Sequence, residues 1–401
     1  MPSPRPVSVT RRSFATGLLA GLCTSSFLRA QTTENVHFNV AAYDRDHILS
    51  TANKALQVAP ATITSIPAGH KDIPTNHYYS EDVEWFKTDT GSMEHRPGQI
   101  NPSAFSLHRD AVVSMNGVVA SCTAAWRLTN DTKYAQHAMK HLHAWFLDDA
   151  TRMEPQLDHA ACVPPSTTGT YRGVEDTVML AETVRAASFL CAYNGVATEN
   201  ETKALRKWFS DFVTWLNESK PGFIAREMKD RTAICWTMQA AEMARFTHNE
   251  ALLIECGHRF RDKLLRQMNF DGQFPIELHT RAAYAASIFT LDCLSVACEV
   301  LSTPMESLWE VNLPDGRGMR SAIAYLFPYM QNRSQWKLPA DTEHFRDWPV
   351  RQPSLLFAGR AYDRPEYIAL WKQLPIEPSQ PALLRWFSVR QPALWTVRPP
   401  A

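Results

Sequence analysis

The stretch WRLTNDTKYAQHAMKHLHAWF, residues 126–146, has the pattern of two helices joined by a tight turn. The Thr-Asn-Asp at its centre supplies side-chain oxygens that favour a turn and cap the start of the second helix. The stretch ARFTHNEALLIECGHRF, residues 244–260, repeats the same arrangement further along the chain. Two such hairpins predict a fold built from antiparallel helix pairs.

Helical periodicity extends over most of the chain from about residue 105 onward, because apolar residues recur at spacings of three and four. A shorter helix is predicted near 44–58, and the alternating β-branched runs typical of strands are scarce. The composition does not break along this series, so we predict one all-α domain, a toroid or solenoid-like barrel with a cleft at one end. The main predicted helices cover 105–128, 132–147, 174–195, 199–218, 232–246, 250–267, 282–302 and 318–331.

The N-terminal residues have the pattern of an export signal. The stretch TRRSFATGLLAGLCTSSFLRAQ contains Arg11 and Arg12 followed by an apolar run that is too short for a bilayer span. We therefore predict a twin-arginine-type signal over residues 1–30, with a domain spanning 31–401 that is periplasmic or secreted. The alternative is a frayed apolar helix at the N-terminus.

The charge balance of the chain restricts its partners. The 401 residues carry 41 basic and 41 acidic side chains, and cleavage after Ala30 leaves 37 basic and 41 acidic. This balance argues against a nucleic-acid partner, and it means that an anionic ligand needs a locally basic cleft. We expect a monomer without a stable membrane span.

The cysteines and short motifs indicate no cofactor. Seven cysteines follow the predicted signal, mostly in apolar helical runs, with no CxxC pair and no zinc-like spacing to histidine. They are expected to be small buried side chains, although an oxidising compartment leaves one or two disulfides open. Phosphate-loop, GxSxG, HExxH and dinucleotide motifs are absent from the sequence.

Several loop segments combine aromatic, histidine and arginine residues. Aromatic faces stack on sugar rings and guanidinium groups bind carboxylates, so this composition suits an acidic carbohydrate. The alternative is that the aromatic residues only cap the ends of a helical barrel. The segments are NHYYSEDVEWF (76–86), GQINPSAFSLHRD (98–110), DHAACVPPSTTGTYRGVEDT (158–177), FPIELHTRAAYAASIF (274–289), PDGRGMR (314–320) and TEHFRDWPVRQP (342–353).

The order of these segments, together with ICWTMQAAEMARFTHNE and LWEVNLPDGRGMR, resembles the bacterial alginate lyase family from about residue 60 to the end. The resemblance implies an incomplete α/α toroid that cleaves a uronate polysaccharide by β-elimination without a metal cofactor. The implied partner is an acidic, alginate-like polysaccharide or oligosaccharide. Elimination needs a carboxylate neutraliser, a base that removes the C5 proton and an acid that protonates the leaving oxygen.

The resemblance also points to site residues, although the sequence departs from the family pattern. The family opens the ICWTMQ helix with Asn-Asn-His, where this chain has Asp230, Arg231 and Thr232. A lyase with a relocated site would use His279 as base, Tyr284 as acid and Arg281 or Arg231 as neutraliser. The substrate-binding candidates are Asp230, Arg231, Tyr79, Trp85, Arg172 and Asp176.

Two further hypotheses follow from the same substitutions. In the first, the chain is a non-catalytic saccharide-binding descendant of a lyase. In the second, it is a hydrolase that uses Asp230 with Glu175 or Asp176 as a carboxylate pair. Other positions match the family and are expected to hold loops and helix ends in place. These positions are Asn101, His108, Arg109, Asp315–Gly318, His344, Trp348 and Arg351.

Overall fold

A computed structural model describes residues 38–193 and 195–400, so the predicted export signal lies outside the described residues. The chain forms a series of antiparallel helices, which confirms the predicted all-α toroid. The helices are α1 (Val40–Tyr43), α2 (Arg45–Ala55), α3 (Leu107–Thr129), α4 (Thr132–Phe146), α5 (Gly173–Asp176), α6 (Leu180–Ala192), α7 (Glu199–Glu218), α8 (Lys220–Glu227), α9 (Arg231–Thr247), α10 (Glu250–Arg259), α11 (Pro275–Leu278), α12 (Ala283–Leu301), α13 (Met319–Gln331), α14 (Pro353–Ala361) and α15 (Pro365–Gln373).

The two hairpins predicted from the turn residues are present. Asn130 ends α3 in the left-handed conformation with φ 58°, and the Asp131 side chain accepts from the backbone N–H of Lys133 to cap α4. His248 and Asn249 do the same between α9 and α10, where Asn249 accepts from the N–H of Leu252.

Four short strands lie at the cleft end of the toroid. Strand β1 (Tyr79–Glu81) pairs in parallel with β4 (His159–Cys162), and β2 (Trp85–Lys87) pairs antiparallel with β3 (Met93–His95). Strands β1, β2 and β4 come from the aromatic-rich segments, and β3 lies between two of those segments. They therefore fix the loops that surround the N-terminal end of α9.

The two innermost helices, α9 and α12, are almost completely buried and pack against each other. Helix α12 is long and apolar enough to cross a membrane, but 89% of the relevant window is buried inside the protein. It is therefore a core helix, as expected where a helix is apolar on all sides. The cysteines in the described residues are free thiols, and Cys191 alone among them is partly exposed.

The C-terminal residues form two 3₁₀ turns, Pro381–Trp386 and Pro392–Leu394, which contact helix α3. We refer to residues 381–395 as the C-terminal strap. Its centre is fixed by Glu182 of α6, which accepts hydrogen bonds from the backbone N–H groups of Arg390 and Gln391. The strap therefore forms one wall of the cleft.

Candidate functional site

Two adjoining cavities occupy the cleft. The first, the charged pocket, has a volume of about 50 Å³ and lies at the N-terminal end of α9. The second, the groove, has a volume of about 990 Å³ and lies between α3, the loop around residues 100–106 and the C-terminal strap. The cavities share Val83 and Arg385. The charged pocket is lined by Glu81, Asp82, Val83, Glu84, Arg109, Ala161, Arg172, Glu175, Asp176, Arg231, Phe289, Arg385 and Trp386.

Asp230 places Arg231 at the start of α9. The Asp230 side chain accepts from the N–H of Thr232 at 3.0 Å, so Asp230 is the N-cap and Arg231 is the first helical residue. The buried Arg231 side chain then extends into the pocket, where its guanidinium lies 5.3 Å from the centre of the Trp386 ring.

Arg231 is held by two glutamates from different segments. Its Nε donates to Glu175 Oε2 at 3.0 Å, and its Nη1 donates to Glu277 Oε2 at 2.8 Å. Its backbone N–H also donates to Glu277 Oε1 at 3.0 Å. Thr232 adds a hydrogen bond of 2.6 Å from its hydroxyl to the other oxygen of Glu175. The residues in place of the family's Asn-Asn-His therefore form a buried ion-pair network.

The electrostatics of the two glutamates differ. Burial acts to raise the pKa of Glu175, but Arg231 and Arg172 outweigh it and hold that pKa below its ordinary value. Burial raises the pKa of Glu277, and Arg231 offsets this effect only in part. Arg231 and Glu175 form the ionised pair at the centre of the network.

Two arginines from the first half of the chain, Arg109 and Arg172, also form ion pairs in the pocket. Arg172 contacts Asp82 at 3.2 Å and Glu84 at 2.6 Å. Arg109 pairs with Asp176 at 2.7 Å, and Asp176 also accepts hydrogen bonds from the hydroxyl groups of Ser80 and Tyr78.

The three residues predicted as catalytic are not brought together. His279 and Arg281 are exposed in the turn between α11 and α12, and Arg281 Nη1 donates to Gln99 Oε1 at 3.0 Å. Tyr284 is fully buried, and its hydroxyl donates to the backbone carbonyl of Tyr329 at 3.0 Å. Burial raises the pKa of Tyr284 above its ordinary value. This placement does not support a role for Tyr284 as the acid, because its hydroxyl faces the core.

The substrate-binding candidates divide into two groups. Arg172, Asp176 and Arg231 line the charged pocket, whereas the other three lie elsewhere. Asp230 caps α9, Tyr79 is buried with its hydroxyl donating to Glu81 at 3.1 Å, and Trp85 stacks on His95 with ring centres 5.1 Å apart.

Sequence reasoning missed the residues that complete the site. Glu84 and Glu277 lie inside segments that were singled out, but their acidic side chains were not chosen. Arg385 and Trp386 come from the C-terminal strap, where the adjacent Arg-Trp pair was the available signal.

The matched scaffold residues mainly hold loops in place. His108 accepts from the N–H of Tyr79 at 2.9 Å, and its other ring nitrogen donates to the carbonyl of Ile66 at 2.7 Å. Arg351 pairs with Asp44 at 2.8 Å, so it ties the start of α2 to the segment before α14.

The described helices form an all-α toroid with a charged cleft at one end. The family model for alginate lyase matches residues 59–336, and the chain belongs to the alginate lyase family. Comparison with curated proteins gave no match.

Solved structures of alginate lyases have the same fold. An alginate lyase from Bacteroides ovatus is 24% identical, with a TM-score of 0.76 over 90% of this chain and 97% of that chain. Alginate lyase A1-III from Sphingomonas species A1 is 14% identical, with a TM-score of 0.52 over 79% of this chain and 86% of that chain. A histidine-to-alanine variant of A1-III, complexed with a tetrasaccharide, is 16% identical, with a TM-score of 0.54 over 80% of this chain and 88% of that chain.

Proposed function

We propose that this alginate-lyase-like protein binds an acidic, uronate-containing oligosaccharide in the groove and does not cleave it by β-elimination. Family membership supports an acidic saccharide ligand, as does the tetrasaccharide bound to the A1-III variant. The observation that carries the non-catalytic part of the proposal is the pairing of Arg231 with Glu175 and Glu277.

Arg231 is not free to neutralise a substrate carboxylate. A substrate carboxylate could bind to Arg231 only by displacing Glu175 or Glu277. Breaking a buried ion pair of this kind costs about 3–5 kcal/mol. The pocket, at about 50 Å³, has room for a few water molecules and is far smaller than the groove.

Elimination further needs a base and an acid within hydrogen-bond reach of the substrate. Within residues 38–193 and 195–400, no histidine or tyrosine lines the charged pocket. Its carboxylates are engaged with arginine, hydroxyl or backbone groups, so they are poorly placed for proton transfer.

The groove has the size and chemistry of a ligand site. Its volume of about 990 Å³ is at the upper end of the range for small-molecule pockets, which suits an oligosaccharide. Its lining has three basic side chains, Lys54, Arg385 and Arg390, against the acidic Asp110 and Glu343, and Ser114 supplies a hydroxyl group of the kind that hydrogen-bonds to sugars.

The proposal is tested by measuring binding and cleavage on the same folded sample. Titration calorimetry with tetrasaccharides from alginate and other polyuronates should detect binding, and a neutral glucan tetrasaccharide serves as the control. The ultraviolet absorbance of unsaturated uronates should not rise during long incubation across a range of pH. A rise would overturn the non-catalytic assignment, and the absence of binding to every acidic saccharide would overturn the binding assignment.

The hydrolase hypothesis finds less support in the geometry. Asp230 is the cap of α9, Glu175 is engaged with Arg231 and Thr232, and Asp176 pairs with Arg109. An assay for new reducing ends, run in parallel with the absorbance assay, separates hydrolysis from elimination.

We also propose export through the twin-arginine pathway, based on Arg11 and Arg12 and the apolar run that follows them. Replacing both residues by lysine in the full chain should retain the protein in the cytoplasmic fraction of a bacterial host. Equal export of the wild-type and variant chains would contradict this proposal.

A further inference from the structure

Arg385 lies where the charged pocket meets the groove. It belongs to the 3₁₀ turn Pro381–Trp386 of the C-terminal strap and lines both cavities, as well as a third, smaller cavity beside Gln99 and His344. The strap lies outside residues 59–336, which the family model matches.

Arg385 is unlike the other arginines that line these cavities. Arg109, Arg172 and Arg231 each pair with at least one carboxylate, and Arg390 pairs with Glu377 at 2.9 Å. The structure describes no carboxylate within ion-pair distance of Arg385, and its Nε and Nη2 atoms are buried without a hydrogen-bond partner.

The unmatched atoms form a specific binding edge. Nε–H and Nη2–H lie on the same side of a planar guanidinium, an edge that holds the two oxygens of one carboxylate in parallel hydrogen bonds. Because both atoms are buried, a ligand carboxylate reaches them only after a shift of the Arg385 side chain. Arg385 as a whole is half-buried, but these two N–H groups are cut off from water without gaining a partner, which is unfavourable.

The surrounding charges agree with this interpretation. Burial is the main cause of a lowered Arg385 pKa, the nearby guanidinium of Arg109 adds to it, and the net pKa is about 9. Asp176, Asp110 and Glu84 act in the opposite direction without compensating: Asp176 is paired with Arg109, Glu84 is paired with Arg172, and Asp110 is exposed to solvent at the groove. Among the described residues, Arg385 therefore has no carboxylate partner of its own.

We propose that Arg385 binds the carboxylate of a uronate unit whose sugar ring lies in the groove. This proposal rests on the proposed function and assigns the acidic group of the ligand to one residue. The adjoining pocket, at about 50 Å³, has room for a carboxylate group, and Arg385 lines both the pocket and the groove. The carboxylate therefore enters beside Arg385 while the rest of the oligosaccharide stays outside.

The test compares an acidic tetrasaccharide with its carboxyl-reduced, neutral form. Arg385→Gln should weaken binding of the acidic form at least tenfold and leave binding of the neutral form within about twofold. Arg385→Lys should recover only part of the affinity, because an ammonium group keeps the charge but lacks the planar fork. Equal losses for both ligands would show that Arg385 acts through packing and would overturn the proposal.

Arg245 provides a matched control. It is also partly buried, its Nε has no partner, burial lowers its pKa, and it lies near the opposite end of α9 from the pocket. Arg245→Gln should leave the affinity for the acidic tetrasaccharide unchanged. A loss equal to that of Arg385→Gln would show a general effect of removing charge and would overturn the assignment to Arg385.

A ligand-free measurement separates this proposal from the proposed function. Arg385→Met should raise the melting temperature by a few degrees without ligand, since it removes two buried N–H groups that have no partner, and should abolish stabilisation by millimolar sodium glucuronate. If the wild-type protein binds no oligosaccharide, the proposed function fails, while these two readouts still decide whether Arg385 binds a carboxylate. A lower melting temperature, or stabilisation by glucuronate that survives the substitution, would overturn the inference. Sodium sulfate serves as a second probe, and equal stabilisation by sulfate would overturn the selectivity for carboxylate.

Discussion

At the scale of single residues, the sequence predicted some of the residues that line the pocket but not the ion pairs that they form. Arg172, Asp176 and Arg231 were placed at the pocket because their segments resemble family segments in order. Their pairing could not be predicted, because Glu277 is 46 positions and Glu175 is 56 positions from Arg231 along the chain. Only the folded toroid brings these charges together. Because Arg231 is paired, it stabilises the fold instead of neutralising a substrate carboxylate.

The pairing of Arg231 predicts a large stability effect. Arg231→Met leaves Glu175 and Glu277 buried without their shared partner, so the free energy of unfolding should fall by about 3–5 kcal/mol. Urea denaturation of the wild-type and variant proteins at neutral pH measures this difference. Adding Glu175→Gln and Glu277→Gln should recover part of the loss, because neutral amides cost less to bury. A loss below about 1 kcal/mol for Arg231→Met would mean that the network contributes little.

At the scale of elements, helix prediction succeeded where local signals determine the structure. Helix α7 was predicted at its observed bounds from the spacing of its apolar residues, and the structure adds a capping box between Thr198 and Glu201 at its start. The predicted helix 174–195 is instead two helices, α5 and α6, interrupted near Thr177. Thr177 bonds to Gln239 of α9, and Asp176 bonds to Arg109, so tertiary contacts outweigh an uninterrupted helical pattern.

Helices α8, α14 and α15 were missed, although α14 and α15 begin with proline, a residue that favours the first helical position.

The junction of α12 and α14 predicts a specific pH dependence. Asp292 of α12 is completely buried, accepts from the N–H of Ser354 at 3.2 Å, and has a pKa raised by burial to about 7. Its protonated form is therefore favoured in the fold, so its stabilising effect is complete below its ordinary pKa of 3.8 and is lost as pH rises towards 7. The stability of the wild-type protein relative to Asp292→Asn should fall by up to about 1.4 kcal/mol per pH unit across this window. Chemical denaturation of both proteins at several pH values measures the difference, and a difference independent of pH would contradict the raised pKa.

At the scale of the whole molecule, the toroid and its cleft followed from helix pairing, whereas the wall formed by the C-terminal strap did not. The strap lacks the long periodic pattern that identifies a helix, and its position depends on the buried carboxylate of Glu182. Glu182 accepts from two strap N–H groups at 2.8 and 3.0 Å, from the Trp395 indole at 3.3 Å and from Asn116 at 3.0 Å. Burial raises the pKa of Glu182 even with these donors, so the carboxylate acts as a buried anchor between α3, α6 and the strap.

This anchor predicts that a substitution at Glu182, a residue that does not contact the ligand, weakens ligand binding. Glu182→Gln keeps the shape of the side chain but replaces one acceptor oxygen with a donor that faces N–H groups, so the strap should loosen. Hydrogen exchange should then accelerate in residues 381–395 with little change in α9 and α12, and the affinity for an acidic tetrasaccharide should fall because Arg385 is no longer held at the pocket. Glu299→Gln is the control, because Glu299 is a largely buried carboxylate of α12 that bonds to Trp309 rather than to the strap. If exchange in the strap accelerates while affinity stays at the wild-type value, then the strap is not part of the ligand site, and the acidic saccharide must be held by the opposite wall of the groove.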